Sequence, residues 1–183
     1  MRIIAGTLKG RRLAGPPSDG VRPTTDGLRE TLFNILATRV PGARVLDAYA
    51  GTGSVGLEAL SRGASAVTFV ERDRRTLAVL RRNVEACGAT TQSAVVCGDF
   101  LDARAQHTTH DPFDIVFADP PYEGTDLAVV AETAVSVVAA EGIVIVEHSS
   151  RRASPEQAGA FMRVRLLTAG DSALSFYTAS LAR

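Results

Sequence analysis

Val45-Leu46-Asp47-Ala48-Tyr49-Ala50-Gly51-Thr52-Gly53-Ser54-Val55-Gly56 runs from an apolar stretch through a glycine loop into the start of a helix. Gly51-x-Gly53-x-x-Gly56 between a strand and a helix lets the backbone approach a ligand closely, with a helix N-terminus behind it. Working outward, strand and helix patterns alternate. Val45-Leu46 is a strand, Ser54 to Arg62 a helix closed by Gly63, and Ala66 to Val70 a second strand. A helix capped by Asp73 stops near Gly88, and strands follow at Ala94 to Val96 and Ile115 to Ala118. Leu127 to Val138 reads as a helix and Ile143 to Val146 as a buried strand. Strands separated by helices require right-handed crossovers, hence a mostly parallel, doubly wound α/β sheet. Arg163 to Leu166 and Ala173 to Thr178, around Gly170-Asp171, read as an antiparallel hairpin at the end of the chain.

At the other end, Arg2 to Ala5 and Arg11 to Ala14 flank Gly6-Thr7-Leu8-Lys9-Gly10, a second hairpin pattern. After Pro23, Thr24-Thr25 offers a helix N-cap, and Leu28, Leu32, Phe33 and Leu36 form the buried stripe of a helix ending before Pro41-Gly42. We read residues 1–20 as a basic hairpin extension and 21–183 as one α/β domain. Truncation of the extension is then expected to leave a folded, ligand-binding domain.

Composition narrows the function. Of 183 residues, 45% are hydrophobic and 22% charged, which supports a packed core and argues against disorder. No apolar run approaches the roughly 20 residues that span a bilayer, and Met1 to Gly6 lacks a signal peptide's apolar stretch, so a cytoplasmic protein without a membrane partner is expected. Cys87 and Cys97 have no Cys-x-x-Cys spacing and read as buried thiols; with His107, His110 and His148 showing no ligand spacing, no metal is expected. The net charge is zero but uneven: Arg2, Lys9, Arg11, Arg12, Arg22, Arg29 and Arg39 oppose only Asp19, Asp26 and Glu30 in the first forty residues. That excess suits a polyanion, with Lys9, Arg11, Arg12 and Arg22 the expected contacts.

The glycine loop fits a dinucleotide or S-adenosylmethionine. Asp47, at the end of its strand, can face the cationic amino-acid end of S-adenosylmethionine but would repel a pyrophosphate. Glu71, ending the next strand, can accept hydrogen bonds from ribose hydroxyls of either cofactor. Ala50, Gly51 and Gly53 line the loop. Asp99 can accept from an adenine amino group with Phe100 covering the ring, although a turn or cap role suits Asp99 as well. S-adenosylmethionine is therefore the expected cofactor.

Asp119-Pro120-Pro121-Tyr122 follows the strand Ile115 to Ala118, where open α/β sheets place ligands. An amino group on an aromatic base delocalises its lone pair into the ring. Acceptors on its two N–H groups, the Asp119 carboxylate and the Pro120 carbonyl, can turn that lone pair toward a methyl donor. The prolines donate no backbone hydrogen and keep the turn stiff, and Tyr122 can stack on the base. The plain alternative is a Pro-Pro turn ending a strand. Arg29 and Asn83 can touch ligand or RNA, but serve equally as packing residues.

The chain resembles the bacterial RsmD-type 16S ribosomal RNA guanine-N2 methyltransferases over nearly its whole length. The resemblance rests on Arg2-Ile3-Ile4-Ala5-Gly6, Lys9-Gly10-Arg11, Arg22-Pro23-Thr24-Thr25-Asp26, Arg29-Glu30, Leu32-Phe33-Asn34, the glycine loop, Gly56 to Ala64, Glu71, Asn83, Asp119 to Tyr122 and Leu174-Ser175-Phe176-Tyr177. It implies a Rossmann-like, class I, seven-stranded methyltransferase fold. It also implies methylation of a guanine N2 in 16S rRNA, with the small subunit or its assembly intermediates as partner. A monomer is expected. Gly27 and Leu167-Thr168-Ala169 depart from the family's pattern. The rival readings are an amino methyltransferase for DNA adenine or protein glutamine, an NAD-dependent oxidoreductase using the same glycine loop, and a non-enzymatic RNA-binding assembly protein. A cytosine carbon-5 methyltransferase would need a nucleophilic cysteine, typically beside a proline, and neither cysteine has one.

Overall fold

The computed structural model describes residues 1–15, 26–102 and 111–180. They fall into two compact units, Met1–Phe100 and Leu101–Arg183.

In the first unit, helix α1 (Asp26–Ile35) buries Leu28, Leu32 and Phe33 as its apolar spacing requires, together with Arg29. Strand β1 (Arg44–Asp47) leads through the glycine loop into α2 (Ser54–Ser61), followed by β2 (Ala66–Glu71), α3 (Arg74–Ala86) and β3 (Ser93–Cys97). β2 pairs in parallel with β1 on one side and β3 on the other, as the alternation demands. Asp73 caps α3 by accepting from the Thr76 amide at 2.7 Å. The Thr24-Thr25 cap proposed for α1 lies outside the described residues.

The N-terminal hairpin is less regular than its sequence suggests. A single antiparallel bridge, Arg2 to Arg12, replaces two strands. The stretch from Ile4 to Leu8 is tied to α2. Glu58, fully buried, accepts from the Ile4 amide at 2.7 Å and the Ala5 amide at 3.0 Å. Ser61 accepts at its Oγ from the Leu8 amide at 2.9 Å and at its carbonyl from the Thr7 amide at 2.8 Å. Gly6 sits so close that a β-carbon there would lie 1.8 Å from the Ser61 carbonyl oxygen, at a φ of +82°.

In the second unit, β4 (Phe113–Ala118) is followed by α4 (Leu127–Val135), capped by Asp126, and by β5 (Val138–Ser149). β6 (Gln157–Ala158), β7 (Phe161–Ala169) and β8 (Ser172–Ala179) complete it. β4 and β5 are parallel; β5–β8, β8–β7 and β7–β6 are antiparallel, so the expected terminal hairpin is β7–β8. β5 is three times the expected length, because Val138 to Gly142 and Glu147 to Ser149 extend the strand at its two ends, and α4 stops at Val135 instead of Val138. Gly142 permits this: a β-carbon there would meet the Asp114 carbonyl oxygen at 2.9 Å. Eight strands among the described residues exceed the expected seven by the two-residue β6. β7 carries a bulge between Arg163 and Arg165, just past its short pairing with β6, a feature that bends the strand and discourages further pairing.

One sequence expectation needs correction. Cys87 is buried, but Cys97 is exposed, since it ends β3, which pairs on one side with β2. His148 is the penultimate residue of β5, a strand-end position, buried with its Nε2 2.9 Å from Ser175 Oγ. The N-terminal segment buries Ile3 and Leu13 and bonds Glu58, which supports a cost in stability on its removal. His107 and His110 lie outside the described residues.

Candidate active site

Parallel pairing brings the carboxyl ends of β1, β2 and β3 to one edge of the first unit, and each carries an acid. Asp47 closes β1, Glu71 closes β2, and Asp99 follows β3. Asp47 is 1% exposed, and its Oδ2 accepts from the Gly56 amide at 2.9 Å. Burial pushes its pKa up to about 7, the Gly56 hydrogen bond opposing and the Glu71 charge adding. Glu71 anchors the loop from the neighbouring strand: Oε2 accepts from the Gly51 amide at 2.9 Å and Oε1 from the Asp73 amide at 2.7 Å. Asp99 pairs with Arg72 at 3.1 Å.

The loop's glycines divide their labour. Gly51, at φ +54°, faces open space, leaving its backbone accessible. At Gly53 a β-carbon would lie 2.4 Å from Leu80 Cδ1, and at Gly56 2.3 Å from Phe69 Cε1. Those two glycines let α2 close on β2 and α3, the packing role of the third glycine in such loops. Ala50 is buried and donates its amide to the Val70 carbonyl at 2.9 Å. Phe100 is 1% exposed and meets Tyr49 edge-on, with centroids 5.7 Å apart. Tyr49 was not among the expected site residues, although it stands inside the loop. Its hydroxyl is buried without a hydrogen-bond partner among the described residues, and burial raises its pKa.

An edge with three carboxylates, an accessible loop backbone and an orphaned tyrosine hydroxyl suits a ligand that is cationic and rich in hydroxyls. A pyrophosphate would meet acids at the ends of both β1 and β2. The donor set therefore fits S-adenosylmethionine better than a dinucleotide.

In the second unit, Asp119-Pro120-Pro121-Tyr122 leaves the carboxyl end of β4 with Pro120 buried and Asp119 and Tyr122 half-buried. The Tyr122 hydroxyl is 2.7 Å from Ser172 Oγ and 3.4 Å from Glu147 Oε1. Arg152 clasps the turn that follows, donating to the Tyr122 carbonyl at 2.8 Å and the Thr125 carbonyl at 2.6 Å. These supports escaped sequence reading because they lie 25 to 50 residues away and match no motif.

Lys9, Arg11 and Arg12 are exposed, and the Arg11 guanidinium donates to the Ala86 carbonyl at the end of α3. Arg22 lies outside the described residues. Arg29 is a packing residue, fully buried and donating to the Arg2 carbonyl at 2.6 Å and Asp26 at 2.9 Å. Asn83 is also internal: its Oδ1 accepts from the Ala14 amide at 2.9 Å, and its Nδ2 donates to the Ala14 carbonyl at 3.1 Å and the Thr52 carbonyl at 2.9 Å. Among the described residues, no group of three His, Cys, Asp or Glu side chains could hold a metal, and no helix is long and apolar enough to cross a membrane.

This architecture matches solved structures of the class I methyltransferase fold. A structure of yhhF from Escherichia coli aligns over 100% of this chain and 99% of its own, with TM-score 0.84 and 35% identity. The family "Conserved hypothetical protein 95" matches residues 1–178, and the chain belongs to it, the RsmD family of methyltransferases. Ribosomal RNA small subunit methyltransferase D of Haemophilus influenzae is 40% identical over 139 residues, 75% of this chain and 70% of that protein. The Escherichia coli K12 protein of the same name is 46% identical over 122 residues, 67% of this chain and 60% of that protein. YlbH of Bacillus subtilis is 32% identical over 97% of this chain and 98% of its own.

Proposed function

We propose that the chain transfers a methyl group from S-adenosylmethionine to the exocyclic N2 of a guanine in 16S rRNA of the small ribosomal subunit. The observation that carries this reading is the acceptor-rich turn after β4, with Tyr122 tethered at its hydroxyl, in a member of this family. The names of the Haemophilus and Escherichia relatives support rRNA as the substrate.

S-adenosylmethionine, when bound, supplies a methyl group on a sulfonium leaving group. Glu71 accepts from the ribose hydroxyls, Asp47 and the Gly51–Gly53 backbone hold the amino-acid end, and Asp99 and Phe100 flank the adenine. Tyr122 stacks on the extruded guanine, its ring orientation fixed by Ser172 and Glu147. The Asp119 carboxylate and the Pro120 carbonyl accept the two N–H bonds of the amine and aim its lone pair, so rate enhancement comes from positioning and electrostatics. A carboxylate is a weak base toward a neutral amine, but the methylated nitrogen is cationic and acidic, and Asp119 takes its proton after transfer.

The test is methyl transfer to small subunits lacking the modification, followed by nucleoside mass spectrometry. N2-methylguanosine is expected; methyladenosine, or methylation of DNA or protein with rRNA untouched, would replace the reading. Asp119→Ala should lower turnover by about a hundredfold or more while the dissociation constant for S-adenosylmethionine stays near wild type.

A further inference from the structure

We propose that the outward face of α3, continuous with the N-terminal hairpin, binds the sugar–phosphate backbone of the RNA. This rests on the RNA reading above and extends the contact surface beyond the hairpin. α3 turns Thr76, Leu77, Leu80, Asn83 and Val84 to the core. At about 100° per residue, Arg74, Arg75, Arg81 and Arg82 fall within an arc of roughly 120° on the opposite side, centred on Ala78. All four are exposed, and none forms an ion pair with a described residue. A solvated helix face ordinarily interleaves acids with bases at i,i+4. Here Glu85, which shares the arc four residues after Arg81, is the single acid of the helix against four arginines, and the carboxylate preceding the helix, Asp73, is engaged in capping Thr76. Clustered like charges raise the energy of the isolated fold, so its packing does not account for them.

The hairpin joins this face at its C-terminal end. Arg11 donates to the Ala86 carbonyl, and Asn83 holds Ala14 through both its amide and its carbonyl. Residues 1–15 contain Arg2, Lys9, Arg11 and Arg12 and no acid. The chain as a whole is neutral, so the remainder is acidic and this surface is the local positive field. From Arg74 to Ala86 it runs about 18 Å along the helix, enough for several phosphates, before the hairpin extends it. Arginine presents a fork that matches phosphate oxygens. Asn83 also bonds Thr52 of the glycine loop, so RNA held along this strip would run beside the donor-binding edge.

The experiment compares wild type with R74Q/R75Q/R81Q/R82Q, and with R151Q in the second unit as control. Affinity for a 16S rRNA fragment and for small subunits is titrated at several salt concentrations, alongside KM for rRNA, S-adenosylmethionine affinity and thermal melting. The quadruple variant should melt like wild type and retain S-adenosylmethionine affinity. Its log affinity against log salt should be shallower by about two to three units, at roughly 0.7–0.9 per lost phosphate contact, and its KM for rRNA about tenfold higher. R151Q should leave both unchanged. An unchanged slope and KM in a folded quadruple variant that still methylates rRNA overturn this inference and leave the proposed function standing. Loss of RNA affinity in a protein whose wild type methylates no rRNA supports the surface and overturns the proposed function. Weakened binding to assembled subunits with naked RNA unaffected overturns the inference in favour of an acidic protein partner.

Discussion

At the scale of single residues, Asp47 combines two demands that water would normally keep apart: it stays buried beside Glu71 and it carries a carboxylate. Its folded pKa of about 7 lies above the ordinary 3.8 of a solvated aspartate, so the folded state holds the proton more tightly. The resulting stabilisation is complete below the unfolded pKa and is lost as pH rises through about 7. Asp47→Asn keeps an oxygen for the Gly56 amide without the charge. The variant should therefore gain stability on wild type between pH 5 and pH 8, read as a growing difference in urea midpoint; a difference independent of pH would mean Asp47 is ionised throughout. A cation bound at this edge reverses the preference, so binding S-adenosylmethionine near pH 6 should release a proton in wild type and none in Asp47→Asn. Calorimetry in buffers of different ionisation heat measures that. Glu71 serves loop and ligand together, its oxygens engaged by Gly51 and Asp73. Glu71→Ala should weaken S-adenosylmethionine binding by about 1.5–3 kcal/mol, and an unchanged dissociation constant would remove it from the pocket.

At the scale of elements, α2 links ligand loop to N-terminal segment. Its residues from Val55 to Ser61 are all buried, so it is a core helix between β2 and the hairpin rather than an amphipathic surface one. Gly56→Ala would press a methyl group against Phe69 and Val67 and force α2 outward, costing about 1–3 kcal/mol and displacing the amide that Asp47 accepts from. A lower melting temperature together with weaker S-adenosylmethionine binding is expected; a normal melt would show that the helix shifts without strain. Asn83 joins the same parts from α3. Asn83→Asp keeps the acceptor for Ala14 but turns a carboxylate oxygen toward the carbonyls of Thr52 and Ala14. It should therefore be at least as damaging as Asn83→Ala, which costs about 2 kcal/mol in chemical denaturation. Near-wild-type stability of Asn83→Asp would mean that the Thr52 contact carries no weight.

At the scale of the whole molecule, the N-terminal segment is both part of the first unit's core and part of its charged surface. Deleting residues 1–14 would expose the partners of Ile3 and Leu13 and leave the buried Glu58 carboxylate without the Ile4 and Ala5 amides. Stripping partners from a buried charge costs about 3–5 kcal/mol, so the truncated protein should unfold at markedly lower denaturant and bind S-adenosylmethionine poorly. A truncated protein with wild-type stability would show that Arg62, which already donates to Glu58 at 2.7 Å, satisfies the buried carboxylate without the two amides. RNA contacts of Lys9, Arg11 and Arg12 are accordingly better tested by charge substitution than by deletion.

What the sequence by itself determined is what depends on neighbours along the chain. Strand and helix periods, the positive-φ loop at Gly51 and Gly53, the Asp73 cap and the Asp-Pro-Pro-Tyr turn are local, and each was legible because backbone sterics and near-neighbour spacing dictate it. Parallel order of β1 to β3 follows from that alternation, and with it the row of Asp47, Glu71 and Asp99. Tertiary structure decided everything that depends on which distant groups meet. Ala139-Ala140-Glu141-Gly142 suits helix or strand, and the approach of β4 to Gly142 chose strand. Glu58 and Asn83 look like surface residues in sequence, yet are buried because backbone amides and carbonyls of the N-terminal segment bond them, and Arg29 is buried with its Nη2 bonded to the Arg2 carbonyl while Nε and Nη1 find no hydrogen-bond partner among the described residues. Ser172, Glu147 and Arg152 hold the Tyr122 turn for the same reason: burying or fixing a polar group requires a partner, and no local pattern says which remote residue the fold will deliver.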